Sequence, residues 1–253
     1  MPLRAQIDGR SVNAVLLSDT EWQALKGSRS LRMPCCDTGA YPRTSRLGTR
    51  HFVHSRGGHC GTEGESVEHL AAKAEIVRVC HELGWTAVPE YQGDNWRADV
   101  YSTRGRHRLA FEIQWSNQTL EETRLRHAAY GDVKCCWLFR KLPIQKTSAR
   151  GGPIDLTLIK NARDVLKALH SVPSEQERVP MFVLSRTDSA FAVTVDSRRV
   201  SLRDFVKARL EGRIRFCDTR HYISREVQLI VFREKCPRHW DYDVFYTRHV
   251  LQS

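Results

Sequence analysis

The sequence predicts an α/β fold, a sheet with helices on its faces, and three observations carry that reading. Residues 66–139 run in the order helix, three strands, helix, strand. Within them, RLAFEIQWS at 108–116 alternates with the period of two that a strand demands: Leu109, Phe111, Ile113 and Trp115 share one face, and Ala110, Glu112, Gln114 and Ser116 the other. The chain has 253 residues, 41% hydrophobic and 27% charged, which is enough apolar material for a packed interior and argues against wholesale disorder.

Taken in order, AQIDGRSVNAVLL gives short N-terminal strands, followed by a helix capped near Ser18 or Asp19 and a Cys/His-rich, Gly-punctuated loop. SVEHLAAKAEIVRVCHELG (66–84) is an amphipathic helix closed by Gly84. Strands follow at 86–91, 97–103 and 108–116, a helix near 118–130 and a buried strand at VKCCWLF (133–139). The expected division is an N-terminal part at 1–62, a core at 63–142, a linker at 143–153 and a mixed α/β region at 154–253.

No apolar run approaches the roughly 20 residues that span a bilayer, so a membrane role is not expected. The start, MPLRAQIDGR, lacks an apolar signal core, and eight cysteines without an export signal point to a reducing, cytoplasmic setting. The net charge of +11 is uneven. Residues 1–60 hold nine Lys/Arg against four Asp/Glu, 196–253 hold thirteen against eight, and the middle is near neutral. Two basic arms on a neutral core call for a polyanionic partner, with nucleic acid the first candidate.

The 97–116 hairpin brings two acids together. Gly105 at the first central position of a two-residue loop suits a type II′ turn, and paired residue numbers then sum to 211. Val100 faces Phe111, Ala98 faces Ile113, Asp99 lands opposite Glu112, and Arg97 opposite Gln114. Opposed carboxylates repel and weaken a sheet, so a bound cation, a shared proton or an intervening Arg97 is needed; a hard divalent cation with oxygen ligands is the simplest resolution.

These residues resemble a known family. Asp99 in RADV, followed by Glu112-Ile113-Gln114 in FEIQWS, resembles the PD-(D/E)XK nuclease motif with Gln in the usual Lys position. HFVH (51–54), ESVEHLAAK (65–73), Arg124, Tyr130 and WLF (137–139) extend the likeness, over about 33–140, to the competence protein CoiA-like family. The resemblance implies a restriction-endonuclease-like core and metal-dependent phosphodiester hydrolysis. Asp99 and Glu112, with the Ile113 carbonyl, would hold Mg²⁺ or Mn²⁺, which activates water and polarises the phosphate. Gln114 can orient water or phosphate but can be neither base nor cation, which leaves the proton acceptor open. Glu68 is the expected helix carboxylate, with Glu65 its rival. His69, Lys73 and Arg97 are the expected phosphate contacts.

Two Cys/His clusters complete the inventory. Cys36, His51, His54 and Cys60 are candidate ligands for structural Zn²⁺, with His59 an alternative fourth. The family's Cys-Pro-x-Cys stands here as MPCC, so Met33 takes the first cysteine's place and Cys35 is additional. Cys217, His221, Cys236 and His239 form a second candidate zinc set in the basic C-terminal arm. Cys80, Cys135, Cys136, Trp115 and Trp137 fall in apolar patterns and read as core. Two functions are consistent with all this: a metal-dependent DNA nuclease, or a non-catalytic nucleic-acid-binding protein on a degenerate nuclease fold.

Overall fold

The computed structural model describes residues 2–55, 65–143, 179–187, 190–195 and 198–213. The chain divides into two compact units. The first comprises Met1–Gln118, Leu125–Pro143 and Val179–Ile214, and the second Thr119–Arg124, Ile144–Arg178 and Arg215–Ser253. Of the second, only Thr119–Arg124 are described; there Thr119 and Glu122 hydrogen-bond reciprocally, Glu122 N–H to Thr119 Oγ1 at 3.2 Å and Thr119 N–H to Glu122 Oε2 at 2.7 Å.

The first unit opens with β1 (Arg4–Ile7) and β2 (Arg10–Asn13), joined by Asp8-Gly9 with both residues at positive φ. Helix α1 (Asp19–Leu25) starts on a Ser18–Glu21 capping box. β3 (Leu31–Arg32) pairs with β1, and β4 (Ala40–Thr44) forms a separate hairpin with β5 (Arg50–His54). Trp22, Leu31, Met33 and Phe52 make a small core of their own beneath these elements.

A seven-stranded mixed sheet dominates. It is built from β6 (Thr86–Gln92), β7 (Arg97–Arg104), β8 (His107–Gln114), β9 (Lys134–Phe139), β10 (Met181–Arg186), β11 (Phe191–Val195) and β12 (Arg198–Ser201), ordered β12-β11-β10-β9-β8-β7-β6. The β8–β9 and β9–β10 pairs are parallel and the others antiparallel. The expected linker is outside the described residues from 144 on, and β10–β12 on its far side add to this same sheet.

Helix α2 (Val67–Glu82) is capped by Ser66, whose hydroxyl accepts the His69 N–H, and the chain leaves it through Gly84 at φ 72. Leu70, Ala74 and Val77 recur at helical spacing and are fully buried, the first two packed with Leu3 and Val15. Helix α3 (Leu120–Ala128) lies between β8 and β9 in sequence, and α4 (Leu202–Leu210) buries Leu202, Phe205, Val206 and Leu210, with Phe205 against Phe182.

The hairpin register is as the turn predicts. Gly105 sits at φ 56, and the pairs run from Arg104↔His107 to Val100↔Phe111. One expectation is corrected, that for Trp115. The Glu112 face of β8 is not solvated: Ala110 and Glu112 are buried, because Tyr130, Val133 and the β9 side chains Cys135 and Trp137 cover it. Trp115, expected on the buried face, is half-exposed and meets Phe191 edge-on at 6.3 Å. Cys80, Cys135, Cys136 and Trp137 are core as expected.

Candidate active site

The paired stretch of β7 and β8 ends at Val100↔Phe111, and the site begins there. Ala98 and Tyr101 pack in the same cluster although three residues apart, so strict alternation fails between them. Asp99 therefore does not sit squarely across from Glu112. Its Oδ2 instead accepts the Ile113 N–H at 2.8 Å and lies 3.0 Å from His69 Nε2. On neighbouring β6, Glu90 sits at φ 47, a left-handed conformation uncommon outside glycine. That twist directs its carboxylate inward, where Oε1 accepts from Lys73 Nζ at 2.6 Å and from the Leu3 N–H at 3.1 Å.

Helix α2 supplies the facing row. Glu65, just before the cap, and His69 and Lys73, one and two turns on, lie on one side. Lys73 is only 2% exposed, with Nζ 2.6 Å from both Glu65 Oε1 and Glu90 Oε1. Its donors are spent on carboxylates, which corrects its expected role as a phosphate contact. Burial opposes its charge, but Glu90, Glu65 and Asp99 outweigh burial and raise its pKa. Glu68 points elsewhere, pairing with Arg46 at 2.8 Å and Arg186 at 3.3 Å, and is not part of the cleft wall. Its rival Glu65 lines the cleft instead.

Electrostatics separate the two central acids. Asp99 is desolvated, yet the His69 charge and hydrogen bond, then Lys73 and the Ile113 N–H, bring it down to about 2. Glu112 is 3% exposed. Burial and then the Asp99 charge push it up to about 8, against the pull of Arg126, the Tyr130 hydroxyl and His69. The Tyr130 hydroxyl donates to Glu112 Oε1, and the Arg126 guanidinium donates to Oε2 at 3.0 Å. For His69, burial disfavours the imidazolium, but Asp99 and then Glu65 overcome it and raise the pKa. Gln114 Nε2 donates to the Ser116 hydroxyl at 2.8 Å.

These side chains line a cleft of about 960 Å³ that also takes in Arg97, which is exposed, and Ile113. Glu65, His69 and Asp99 each offer a ligand atom within 4.8 Å of the others, and Glu112 faces the same space. A buried acid, Glu112, and a partly buried one, Asp99, with a third acid and an imidazole alongside suit a hard divalent cation.

A second metal-like group forms another part of the wall. Cys35 Sγ lies 3.7 Å from Cys36 Sγ and 3.6 Å from His54 Nε2. The Thr38 hydroxyl and backbone, then Cys35 and His54, bring the Cys36 thiol down to about 6 against desolvation, which favours the thiolate that a metal requires. His51, expected as a ligand, is not in this group: it is buried, with Nδ1 3.2 Å from the Thr49 carbonyl. Cys35 stands in its place. Cys60, His59 and the whole second set, Cys217, His221, Cys236 and His239, lie outside the described residues.

The family model described as competence protein CoiA, nuclease-like domain, matches residues 65–196, more than half of the chain. The chain belongs to that family. The match takes in every acid of the cleft from Glu65 to Glu112, together with Arg126 and Tyr130, and leaves the Cys35–Cys36–His54 group outside it. No curated protein matches the chain. Two residues of this CoiA nuclease-like domain were not among the expected site residues, and Cys35, outside it, was named in the first Cys/His cluster but not as a ligand. Glu90 is a lone acid in an apolar strand, Arg126 stands four residues before Tyr130 on a helix, and Cys35 is the extra thiol of MPCC. The first two spacings were visible signals, but their meaning depends on which elements meet.

Proposed function

We propose that the protein is a metal-dependent nuclease with a PD-(D/E)XK-like core that hydrolyses phosphodiester bonds of DNA in a DNA-processing role such as transformation, recombination or defence. The observation that supports this best is the pairing of Asp99 and Glu112 at the end of a broken ladder. Two desolvated acids whose pKa values are driven apart to about 2 and about 8 face one open cleft. Asp99, Glu112 and Glu65, with His69 beside them, would hold Mg²⁺ or Mn²⁺, and a cation there supplies Lewis-acid polarisation of the phosphate and a more acidic water. The chain's own residues do the rest. Lys73 and Glu90 hold Glu65 in place, the Ile113 N–H and His69 fix the Asp99 carboxylate, and Gln114 and the exposed Arg97 stand at the rim where a phosphate would enter.

Cys35, Cys36 and His54 are proposed as ligands for structural Zn²⁺, a set in which soft thiolates suit zinc better than Mg²⁺. The test of the nuclease reading is purified protein with Mg²⁺ or Mn²⁺ on linear, circular and single-stranded DNA and on RNA. Cleavage of DNA that Glu112→Gln abolishes is expected. A wild type that binds DNA but cuts no substrate with either metal would instead establish a binding protein on a nuclease-like fold.

A further inference from the structure

A phosphodiester-cleaving site of this kind needs a cation beside its acids, and here the usual lysine position holds Gln114, while Arg4, Arg97 and Arg126 line the cleft. Gln114 carries no charge, and its amide is engaged by Ser116. Lys73 is sealed between Glu65 and Glu90. Arg126 on α3 is placed differently. Its Nη2 lies 3.0 Å from Glu112 Oε2, and its Nη1 lies 2.7 Å from Gln118 Oε1 and 3.4 Å from Gln114 Oε1. The guanidinium carbon stands 4.7 Å from the Trp137 ring centroid, a cation–π seat that holds it over the sheet. Its side chain is 45% exposed while its partner Glu112 is 3% exposed, so it joins a buried acid to the open cleft that it lines.

The two oxygens of Glu112 are held unequally. Oε1 takes the Tyr130 hydroxyl, and that phenol is itself buried and within 3.0 Å of the Arg97 carbonyl. Among the described residues, Oε2 takes its hydrogen bond from the half-exposed Arg126. Of the two, the arginine is the partner that can leave without opening the core.

Resting on the nuclease reading, we propose that Arg126 is a catalytic residue. It holds Glu112 Oε2 while the site is empty, yields that oxygen to the divalent cation, and turns its freed donors to the scissile phosphate in the role a lysine at Gln114 would fill. The planar guanidinium suits this task because its paired N–H groups match two phosphate oxygens and it stays charged throughout. Trp137 and Gln118 keep it within reach of both positions. A residue that competes with the cation and serves the transition state has an unusual signature: its removal should tighten metal binding and slow cleavage together.

The experiment titrates wild type, Arg126→Ala and Arg126→Lys with Mn²⁺ by calorimetry without DNA, then measures steady-state cleavage of linear DNA. Arg126→Ala should bind Mn²⁺ about fivefold tighter, the gain that releasing a half-exposed ion pair allows, and lose about 10²-fold in kcat, with KM changed by less than about threefold. Arg126→Lys keeps the charge, so it should bind Mn²⁺ like wild type and recover about tenfold of the lost kcat. This variant also guards against an Arg126→Ala chain that fails to fold. Mn²⁺ affinity that is unchanged or weaker in Arg126→Ala overturns the competition with metal. Wild-type kcat in Arg126→Ala overturns the phosphate role and leaves Arg126 as a counter-ion. A wild type that binds Mn²⁺ and DNA yet cuts nothing sinks the nuclease reading itself, and the phosphate role with it, whereas an active wild type with an equally active Arg126→Ala sinks the arginine assignment alone.

Discussion

The cleft is bounded by two metal-like groups of opposite chemical temper. On one side Glu65, His69, Asp99 and Glu112 offer mostly carboxylate oxygen and are locked into a lattice of ion pairs with Lys73 and Arg126. On the other side Cys35, Cys36 and His54 offer sulfur and nitrogen from a loop and a two-stranded hairpin, with the Thr38 hydroxyl beside the Cys36 thiol. The acid group has been given its own internal cations, so it keeps its shape without a metal but must exchange a partner to accept one. The thiol group is held instead by contacts among Cys35, Cys36, Thr38 and His54, and the low pKa of its Cys36 thiol suits a soft metal. The difference teaches that a hard-ligand site and a soft-ligand site can share one cavity wall, and that each should fail on its own terms.

The largest expected effect is a double dissociation. Glu112→Gln should cut cleavage by at least about 10³-fold while zinc content and DNA affinity stay near wild type, the latter because binding rests on the basic arms. Cys36→Ser should do the reverse, dropping zinc from about one equivalent to below about a tenth by elemental analysis of protein without a His tag, while Mn²⁺ affinity at the acid group changes little. His51→Asn should keep its zinc. Loss of both metals in either variant would show that the two groups are one unit.

Next comes Lys73→Met. It leaves Glu65 and Glu90 buried without their cation, and urea unfolding should report a loss of about 3–5 kcal/mol. A variant as stable as wild type would mean that water replaces the ammonium and that the acid group is less closed than the thiol group.

A smaller effect is the pH dependence of stability in metal-free protein. Glu112 is raised in the folded chain, so the folded state holds its proton to higher pH than the unfolded state does. Stability therefore falls as pH rises from about 4.5 to about 8. Asp99 is lowered, so its contribution is present above pH 3.8 and lost as pH drops toward 2. Glu112→Gln should flatten the slope between pH 5 and pH 8, as read by denaturant midpoints, and an unchanged slope would assign it to another group. The smallest change is expected of Glu68→Gln: an exchange outside the cleft should alter cleavage by less than about threefold.

Much of this architecture could be read from the residues. The Gly105 turn and the alternation of β8 set a register that the strands keep from Arg104↔His107 to Val100↔Phe111. Ser66 and Gly84 bound α2 for local reasons of capping and positive φ. The departure of Asp99 could not be read, because it depends on where a ladder stops rather than on which residues it contains. Glu65 displaced Glu68 for a related reason. The two are nearly one helical turn apart, and only the rotation of α2 against β7 decides which one faces Asp99. Glu90 and Arg126 were legible as residues but not as partners, since their roles come from contacts 17 and 14 positions away in sequence. The choice of Cys35 over His51 turns on the path of a loop that spacing alone does not describe.

The hydrogen bond from the Leu3 N–H to Glu90 has an experimental consequence. One backbone amide near the start of the chain closes on the acid that anchors Lys73, and Lys73 anchors Glu65. That amide is therefore a reporter: its deuterium uptake should slow when Mn²⁺ occupies the cleft, and an isotope label at this single position would read out occupancy without touching any residue that does chemistry. For the same reason a fusion partner joined rigidly at the first residues would disturb the cleft, and a Leu3→Pro chain, which lacks the donor, would lose the signal and loosen the row behind it.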